Sequence, residues 1–149
     1  MNANTIAPKG CTNFKTRQLA RMLSRQYDAE LARAGLKTTQ YSLLGHVLHL
    51  GPIAPGELAR RMGLDASTLT RNLQPLLAAG WLVQQAGADA RSRFITLTPA
   101  GRDKHAEAMR HWKAAQKGIN ARLGEARVVA LHALLDDCLA LLGPEGAAE

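Results

Sequence analysis

Apolar residues recur every three or four positions through most of the chain, a spacing typical of amphipathic helices. Residues 81–97 differ, because they contain two short runs with the composition of strands. The pattern predicts a mainly α-helical fold with one small β-hairpin. The predicted helices cover residues 11–34, a segment from Thr38 or Thr39 to Gly51, residues 55–62, a segment after Asp65, and residues 99–123 and 126–142.

Two short helices near the middle of the chain are separated by a turn that contains glycine. Pro55 suits the first position of the earlier helix, and Gly63 suits the left-handed residue that ends it. Asp65 is a good N-cap for the second helix, because its carboxylate can accept from the free amides of the first turn. This arrangement predicts a helix-turn-helix, whose second helix can enter the DNA major groove.

The second of these helices has two contrasting stripes. One stripe is apolar and is predicted to be buried, and the opposite stripe carries short donors and acceptors with one guanidinium. Any surface helix has a polar face, so this stripe alone does not establish DNA reading. The apolar stripe is Leu69, Leu73, Leu76 and Leu77, and the polar stripe is Ser67, Thr70, Arg71 and Gln74.

The residues that follow strengthen the DNA-binding interpretation. Residues 81–85 and 92–97 are predicted strands, and residues 86–91 form the turn between them. The hairpin would carry Arg91 and Arg93 at its tip. A narrow, A·T-rich minor groove has an enhanced negative potential that attracts inserted arginine. A helix-turn-helix followed by such a hairpin is a winged helix.

At this point the sequence resembles the MarR family of bacterial transcriptional regulators, over about residues 14–140. The most specific part is the wing pattern Asp-x-Arg-Ser followed by Leu-Thr-x-x-Gly. The motifs that carry the resemblance are Leu58-Ala59, Ser67-Thr68-Leu69-Thr70-Arg71, Leu77-Ala78-Ala79-Gly80-Trp81, Asp89-Ala90-Arg91-Ser92 and Leu97-Thr98-Pro99-Ala100-Gly101-Arg102.

The resemblance implies roles for the residues of the winged helix. Arg91 would be the minor-groove arginine, and Asp89 the acid that orients it. One departure is Pro75 inside the second helix, where it removes an amide donor and crowds the carbonyl of Arg71. We expect a bend there and no break. The predicted DNA-contacting residues are Arg60, Arg61, Ser67, Thr68, Thr70, Arg71, Gln74, Asp89, Arg91 and Arg93.

The composition agrees with a polyanion partner. The 149 residues include 19 Lys and Arg against 12 Asp and Glu, a net charge of +7. No apolar run approaches the roughly 20 residues that span a bilayer, and the first ten residues lack a secretory signal. We therefore expect a cytoplasmic protein without a membrane partner, with flexible ends at residues 1–10 and 143–149.

The last predicted helix is apolar almost all round, which requires burial on several sides. One small winged helix cannot supply that cover, so a partner chain is predicted. The resemblance implies that residues 11–34 and 100–142 form a dimerisation layer, and that residues 35–99 form the DNA-binding lobe. The alternative is that the last helix packs only within its own subunit. A two-fold dimer would read an inverted repeat on successive major grooves, about 34–36 Å apart.

No enzyme motif or cofactor-binding loop stands out in the sequence. In the resembling family, ligands commonly bind between the dimerisation layer and the winged lobe. Three segments, residues 11–17, 39–44 and 112–116, resemble MarR-type regulators of aromatic-acid breakdown, among them nicotinate- and hydroxycinnamate-pathway regulators. This resemblance implies a small aromatic or heteroaromatic carboxylate as effector, held by charge-assisted hydrogen bonds. Helical aromatic residues are also common in cores, so these positions remain open. The candidates are Phe14, Arg17, Tyr41, His46, His111 and Trp112.

Two other triggers would keep the same fold and DNA function. His46 and His49 are three residues apart on one helix, which could bind a metal, although no complete ligand set is evident. Cys11 lies among Lys9, Lys15 and Arg17, an electropositive setting that favours a reactive thiol, whereas Cys138 has the pattern of a core residue. A further alternative is an architectural protein that binds DNA without reading its sequence. The sequence favours a homodimeric repressor released from a palindromic operator by an aromatic acid.

Overall fold

The computed structural model describes residues 7–89 and 91–143. Within these ranges the chain folds into six α-helices and one antiparallel hairpin, which confirms the predicted mainly helical winged fold. The elements in chain order are α1 (Thr12–Leu31), a 3₁₀ turn (Ala32–Ala34), α2 (Thr38–Leu50), α3 (Pro55–Met62), α4 (Ala66–Ala78), β1 (Leu82–Ala86), β2 (Arg93–Leu97), α5 (Pro99–Leu123) and α6 (Glu125–Leu142).

Part of the sequence-based prediction concerns residues outside these ranges. The expected flexible ends, residues 1–10 and 143–149, lie largely there, and so does Ala90 in the wing turn. Across the described ranges, none of the helices combines the length and the apolar character that crossing a bilayer requires.

The lobe made of α2, α3, α4 and the hairpin has a leucine-rich core, which continues to Leu31 of α1 and Ala108 of α5. Of the four positions of α4 that were predicted to be buried, Leu69, Leu73 and Leu76 are buried, whereas Leu77 is half-buried. α4 continues without a break through Pro75, as expected. An unpredicted antiparallel bridge joins Ile53 to the hairpin strand at Ile95 and adds a third extended segment. This packing fixes the orientation of α4, because its buried face has one complementary surface to lie on.

The start of α2 differs from the prediction that Thr38 or Thr39 caps it. Lys37 is the N-cap, and Thr38 is already helical. The reason is a tertiary contact: Asp28 of α1 accepts hydrogen bonds from the Thr38 amide at 2.8 Å and from its hydroxyl at 2.7 Å. A carboxylate from another helix therefore satisfies the amide at the start of α2.

Both strands begin one residue later than predicted, and β1 also ends one residue later, at Ala86. β1 begins at Leu82 and β2 at Arg93, and Leu82 pairs with Leu97. Trp81 lies outside the ladder because its amide donates to the Leu76 carbonyl of α4 at 3.0 Å, so only its carbonyl bonds to the opposite residue, by accepting the Thr98 amide at 3.1 Å. The helix that precedes β1 thus sets where the hairpin begins.

α6 leaves the body of its own chain. Val128 is its one buried residue among those described, while Leu139 is 70% and Leu142 is 87% exposed. The expectation that Cys138 is a core residue is wrong for the single chain, where this thiol is exposed. The apolar surface of α6 is too extensive for α5 alone to cover.

The junction between the hairpin and α5 is the tightest contact in the fold. Thr98 caps α5 by accepting the Gly101 amide at 3.0 Å, and its hydroxyl donates to the Gly80 carbonyl at 2.6 Å. A Cβ at position 101 would lie 2.0 Å from the Trp81 carbonyl oxygen. Glycine is therefore required there by backbone proximity and not by an unusual dihedral angle.

This contact predicts that Gly101→Ala destabilises the protein. The expected loss is about 1–3 kcal/mol, because inserting a methyl group into a filled space forces the backbone apart. Gly118→Ala is the matched control in the same helix, since a Cβ there meets nothing within 4 Å and should instead stabilise by about 0.5–1 kcal/mol. Urea unfolding of both variants measures the difference, and equal stability of the two would contradict the packing argument.

Candidate functional site

The N-terminus of α4 is fixed by a dense set of hydrogen bonds to Asp65. This N-cap carboxylate accepts the Ser67 hydroxyl at 2.6 Å, the Thr68 amide at 2.7 Å and the Thr68 hydroxyl at 2.8 Å. The bond from Ser67, followed by those from Thr68, lowers the pKa of Asp65 to about 2. The carboxylate is therefore ionised at neutral pH and holds the first turn of the helix in place.

These bonds also change what the hydroxyl groups can offer to a partner. Ser67 and Thr68 donate their hydrogens to Asp65, and Thr70 donates to the Ala66 carbonyl at 2.9 Å. Their free lone pairs can accept hydrogen bonds from a ligand. The donors on this surface are then the longer side chains of Arg71 and Gln74, which lie one helical turn apart. Ser67, Thr70, Arg71 and Gln74 are exposed, and Thr68 is half-buried.

The two arginines of α3 share one carboxylate. Glu57 accepts from Arg60 Nη2 at 2.7 Å and from Arg61 Nε at 3.0 Å. The bond from Arg60, then that from Arg61, lowers the pKa of Glu57 to about 2. Both arginines are exposed, as a phosphate contact requires. Part of their charge is compensated inside the helix, so this edge offers less positive potential than two free guanidiniums would.

The tip of the hairpin is organised by its own backbone. The Gly87 amide donates to the Ser92 carbonyl at 2.7 Å, and the Ser92 amide donates to the Asp89 carbonyl at 2.9 Å. Asp89 also accepts the Arg91 amide at 3.3 Å. Asp89 thus orients the backbone of Arg91, and the side chains of Arg91 and Arg93 are exposed. The predicted wing arginines therefore project from the same lobe that carries α4.

Two cavities lie along the packed faces of α2 and α5. One has a volume of about 400 Å³, and the other of about 340 Å³. They share Tyr41 and Ser42, so they adjoin each other. The larger is lined by Tyr41, Ser42, Gly45, His46, His49, Leu50, His105 and Met109, and the smaller by Tyr27, Thr38, Tyr41, Ser42 and Trp112.

A row of stacked rings forms the wall of both cavities. His105 stacks on Tyr41 with centroids 5.1 Å apart and planes inclined by 9°. Tyr41 and Trp112 are 6.4 Å apart, and Trp112 is 6.4 Å from Tyr27. The Tyr27 hydroxyl donates to Gln116 at the end of the row. Burial raises the pKa of both tyrosines, which therefore remain neutral. The wall offers flat aromatic surface with a polar group at each end.

The structure brings together only some of the predicted effector residues. Tyr41 and His46 line the larger cavity, and Tyr41 and Trp112 line the smaller one. His111 lies outside both and faces Glu30 at 4.0 Å. Phe14, which is 62% exposed, and Arg17 lie on the surface of α1, outside both cavities of the single chain. The reason is that α1 reaches the cavities only through its later residues.

Sequence reasoning missed the histidine side of the larger cavity. His49 and His105 line it together with Met109. A signal was present, because Tyr41, Gly45 and His49 recur every four residues on α2. His105 and Met109 have the same spacing on α5, so each set lies on one helix face. Which faces meet is decided by helix packing and could not be read from spacing alone.

The two alternative triggers were a metal bound by His46 and His49 and oxidation of the Cys11 thiol. Among the residues that the structure describes, no three His, Cys, Asp or Glu side chains are placed to hold a metal ion. His46 directs Nδ1 to the carbonyl of Ser42 at 2.7 Å. Cys11 is exposed at the start of α1, as predicted from its polar surroundings.

Comparison with known proteins identifies relatives. The sequence profile of the MarR family matches residues 34–92. The chain is 31% identical over 99 residues to the multiple antibiotic resistance protein MarR of Salmonella typhimurium, covering 66% of this chain and 67% of that protein. It is 34% identical to the M. tuberculosis transcriptional regulator MosR in complex with DNA, covering 87% of this chain and 98% of that chain, with a TM-score of 0.70.

A third comparison concerns the fold. A variant of E. coli MarR complexed with operator DNA is 21% identical, covers 85% of this chain and 92% of that chain, and has a TM-score of 0.79. The chain spans about two thirds of the length of the curated relatives that it matches.

The Asp65 cap predicts a pH-dependent contribution to stability. The folded pKa of about 2 lies below the ordinary 3.8, so the contribution is present above 3.8 and is lost as the pH falls through about 2. Asp65→Ala should therefore melt a few degrees below the wild type at neutral pH, and this gap should close in acid. Asp65→Asn is the control, because its amide oxygen still caps but does not titrate. Thermal unfolding followed by circular dichroism measures the gap, and one that is independent of pH would contradict the assignment.

Proposed function

Because the chain belongs to the MarR family of DNA-binding transcriptional regulators, we propose that it is a homodimeric repressor of an inverted-repeat operator. A small aromatic acid would release it. The observation that best supports DNA reading is the combination of an exposed polar stripe on α4 and an arginine-bearing hairpin on one lobe. A regulator of this kind acts where the DNA is, in the cytoplasm.

The reading of DNA would be divided among the three elements of the lobe. Arg71 suits guanine, and Gln74 suits adenine, because their donor and acceptor patterns match those base edges in the major groove. The hydroxyls of Ser67, Thr68 and Thr70 would accept from base amino groups. Arg91 would enter the minor groove, oriented by Asp89. Arg60, Arg61 and Arg93 would contact phosphates, which position the protein but carry no sequence information.

The homodimer is supported by apolar surface that the single chain leaves uncovered. Leu134, Leu139 and Leu142 of α6 are exposed, and so is Met22 of α1. Met22 also lines an apolar groove of about 150 Å³ between α1 and the end of α5, together with Leu19, Leu23, Gln26, Ile119, Arg122 and Leu123. A second copy fits, because it brings an identical leucine-bearing α6 to this groove. Large exposed apolar patches of this kind mark interaction surfaces.

The effector would occupy the adjoining cavities between α2 and α5. Stacked rings suit an aromatic ligand, and the imidazoles suit its carboxylate. This position touches α2 of the reading lobe and α5, which leads to α6. A ligand there can shift the spacing of the two lobes only if it binds one spacing more tightly than the other. The proposed effector would therefore bind more tightly to a dimer whose two lobes are spaced so that they cannot contact both half-sites of the operator.

Arg91→Ala tests the role of the wing. We expect operator affinity to fall by about 5–150-fold, the equivalent of 1–3 kcal/mol for a lost groove contact. Fluorescence anisotropy with a DNA duplex from upstream of the gene measures it at fixed salt, because affinity for DNA depends steeply on salt. Arg25→Ala in α1 removes the same charge outside the lobe and should have a much smaller effect. If both variants lost the same affinity, Arg91 would contribute only through its charge and not through a specific groove contact.

Leu139→Glu tests the dimer. A carboxylate at this exposed apolar position would have to be buried without a partner in the interface, so the variant should be monomeric and lose inverted-repeat binding. Ala106→Glu places the same group on an exposed site of α5 and should remain dimeric. Sedimentation equilibrium measures the mass of each variant. A wild-type protein that sediments as a monomer would overturn the dimer, and a dimeric Leu139→Glu variant would remove α6 from the interface.

A further inference from the structure

The larger cavity between α2 and α5 contains an unusual set of ionisable groups. Three of the chain's five histidines line it, together with the neutral Tyr41. None of its eight lining residues is an aspartate, glutamate, lysine or arginine. The cavity therefore has no permanent charge, and the charge it can acquire must come from protonation of His46, His49 or His105.

His105 is held in its neutral form when the cavity holds no anion. Its ring is buried against Tyr41, and Nε2 would lie 3.4 Å from a Cβ at Gly45. Burial, and then the nearby His49, lower the pKa of His105. A carboxylate within about 4–6 Å would act in the opposite direction, because an opposite charge favours the protonated ring.

His46 must also gain a proton before it can compensate an anion. Its Nδ1 lies 2.7 Å from the carbonyl of Ser42, which can only accept. Nδ1 therefore carries the hydrogen, and the neutral ring retains Nε2 as an acceptor. An acceptor repels a carboxylate, whereas a protonated Nε2 would donate to it. His49 is exposed at the rim of the cavity.

The charged residues around His105 are directed elsewhere. Lys104 donates to the Ala34 carbonyl at 3.0 Å and to Glu107 at 2.9 Å, with its ammonium 5.3 Å from the Trp81 ring centroid. Arg102 and Asp103 are exposed and do not line the cavity. The field that reaches His105 from α2 comes from His49. A neighbouring fixed cation is thus not available to neutralise a bound anion.

We infer that this cavity binds a compact organic anion together with a proton, which is taken up by the His46, His49 and His105 cluster. This inference rests on the proposed aromatic-acid effector and adds its regulation by pH. Affinity should rise as the pH falls, by up to about tenfold per pH unit for one proton taken up. The acids themselves are already ionised between about pH 6 and pH 8, because carboxyl pKa values lie near 4.

Titration calorimetry of the full chain with benzoate, 4-hydroxybenzoate and nicotinate tests the inference between about pH 8 and pH 6. Each titration is run in two buffers of different ionisation enthalpy, because the difference in heat counts the protons taken up. We expect about one proton per anion bound, and tighter binding at the lower pH.

Substitutions locate the proton. His105→Gln and His49→Gln should each reduce the proton uptake and flatten the pH dependence. His49 is exposed, so its variant folds even if replacing the buried His105 does not. His132→Gln on the exposed side of α6 is the control and should keep the wild-type behaviour. Uptake that persists when His46, His49 and His105 are all replaced would overturn the assignment.

The remaining outcomes separate this inference from the proposed function. An acid that binds without proton exchange would overturn the inference and leave the effector proposal standing. Absence of binding by all three acids at every pH would overturn both the inference and the effector, while the DNA-binding proposal would remain, since Arg91→Ala tests it independently.

Discussion

The close approach of α5 to the end of the reading lobe is the contact on which the rest of the structure depends. The Trp81 carbonyl receives the Thr98 amide and leaves no space for a side chain at position 101. Lys104, one turn further, reaches back to the Ala34 carbonyl. The first turns of α5 are thus fixed to the lobe. As α5 has 25 residues, it extends about 37 Å to α6 as one rigid element.

This connection joins two parts of the chain with opposite burial. In the lobe, Leu44, Leu58 and Leu76 are fully buried. The far end of α5 leads to α6, whose leucines are exposed in the single chain. The rigid α5 joins this buried core to the exposed apolar surface of α6. Pairing of two chains through α6 would therefore set the separation of their two α4 helices. Half-site spacing then becomes a property of helix packing.

The cavities lie where a bound ligand could alter the separation of the two α4 helices in the proposed dimer. They are bounded by α2, which belongs to the lobe, and by α5 just beyond the fixed junction. Their walls contain aromatic rings and imidazoles, which have no permanent charge and would contact the proposed aromatic anion. The proposed DNA-contacting surface differs, because the carboxylates of Asp65 and Glu57 in it are ionised at neutral pH by their hydrogen bonds. The charge of the DNA-contacting surface would be independent of pH near neutrality, whereas the charge of the cavity would depend on it.

The sequence by itself determined the order of the helices and the hairpin, and the buried face of α4. Proline, glycine and Asp65 mark the ends of α3 and α4, and the leucine spacing selects the buried face of α4, because these signals act within a few residues. Only the tertiary structure decided which helix faces meet. Asp28 caps α2 from α1, Glu57 shares its charge between two arginines, and His105 reaches the cavity that Phe14 and Arg17 do not. Helical spacing assigns a residue to a face, whereas the angle and register at which two helices pack depend on all side chains between them.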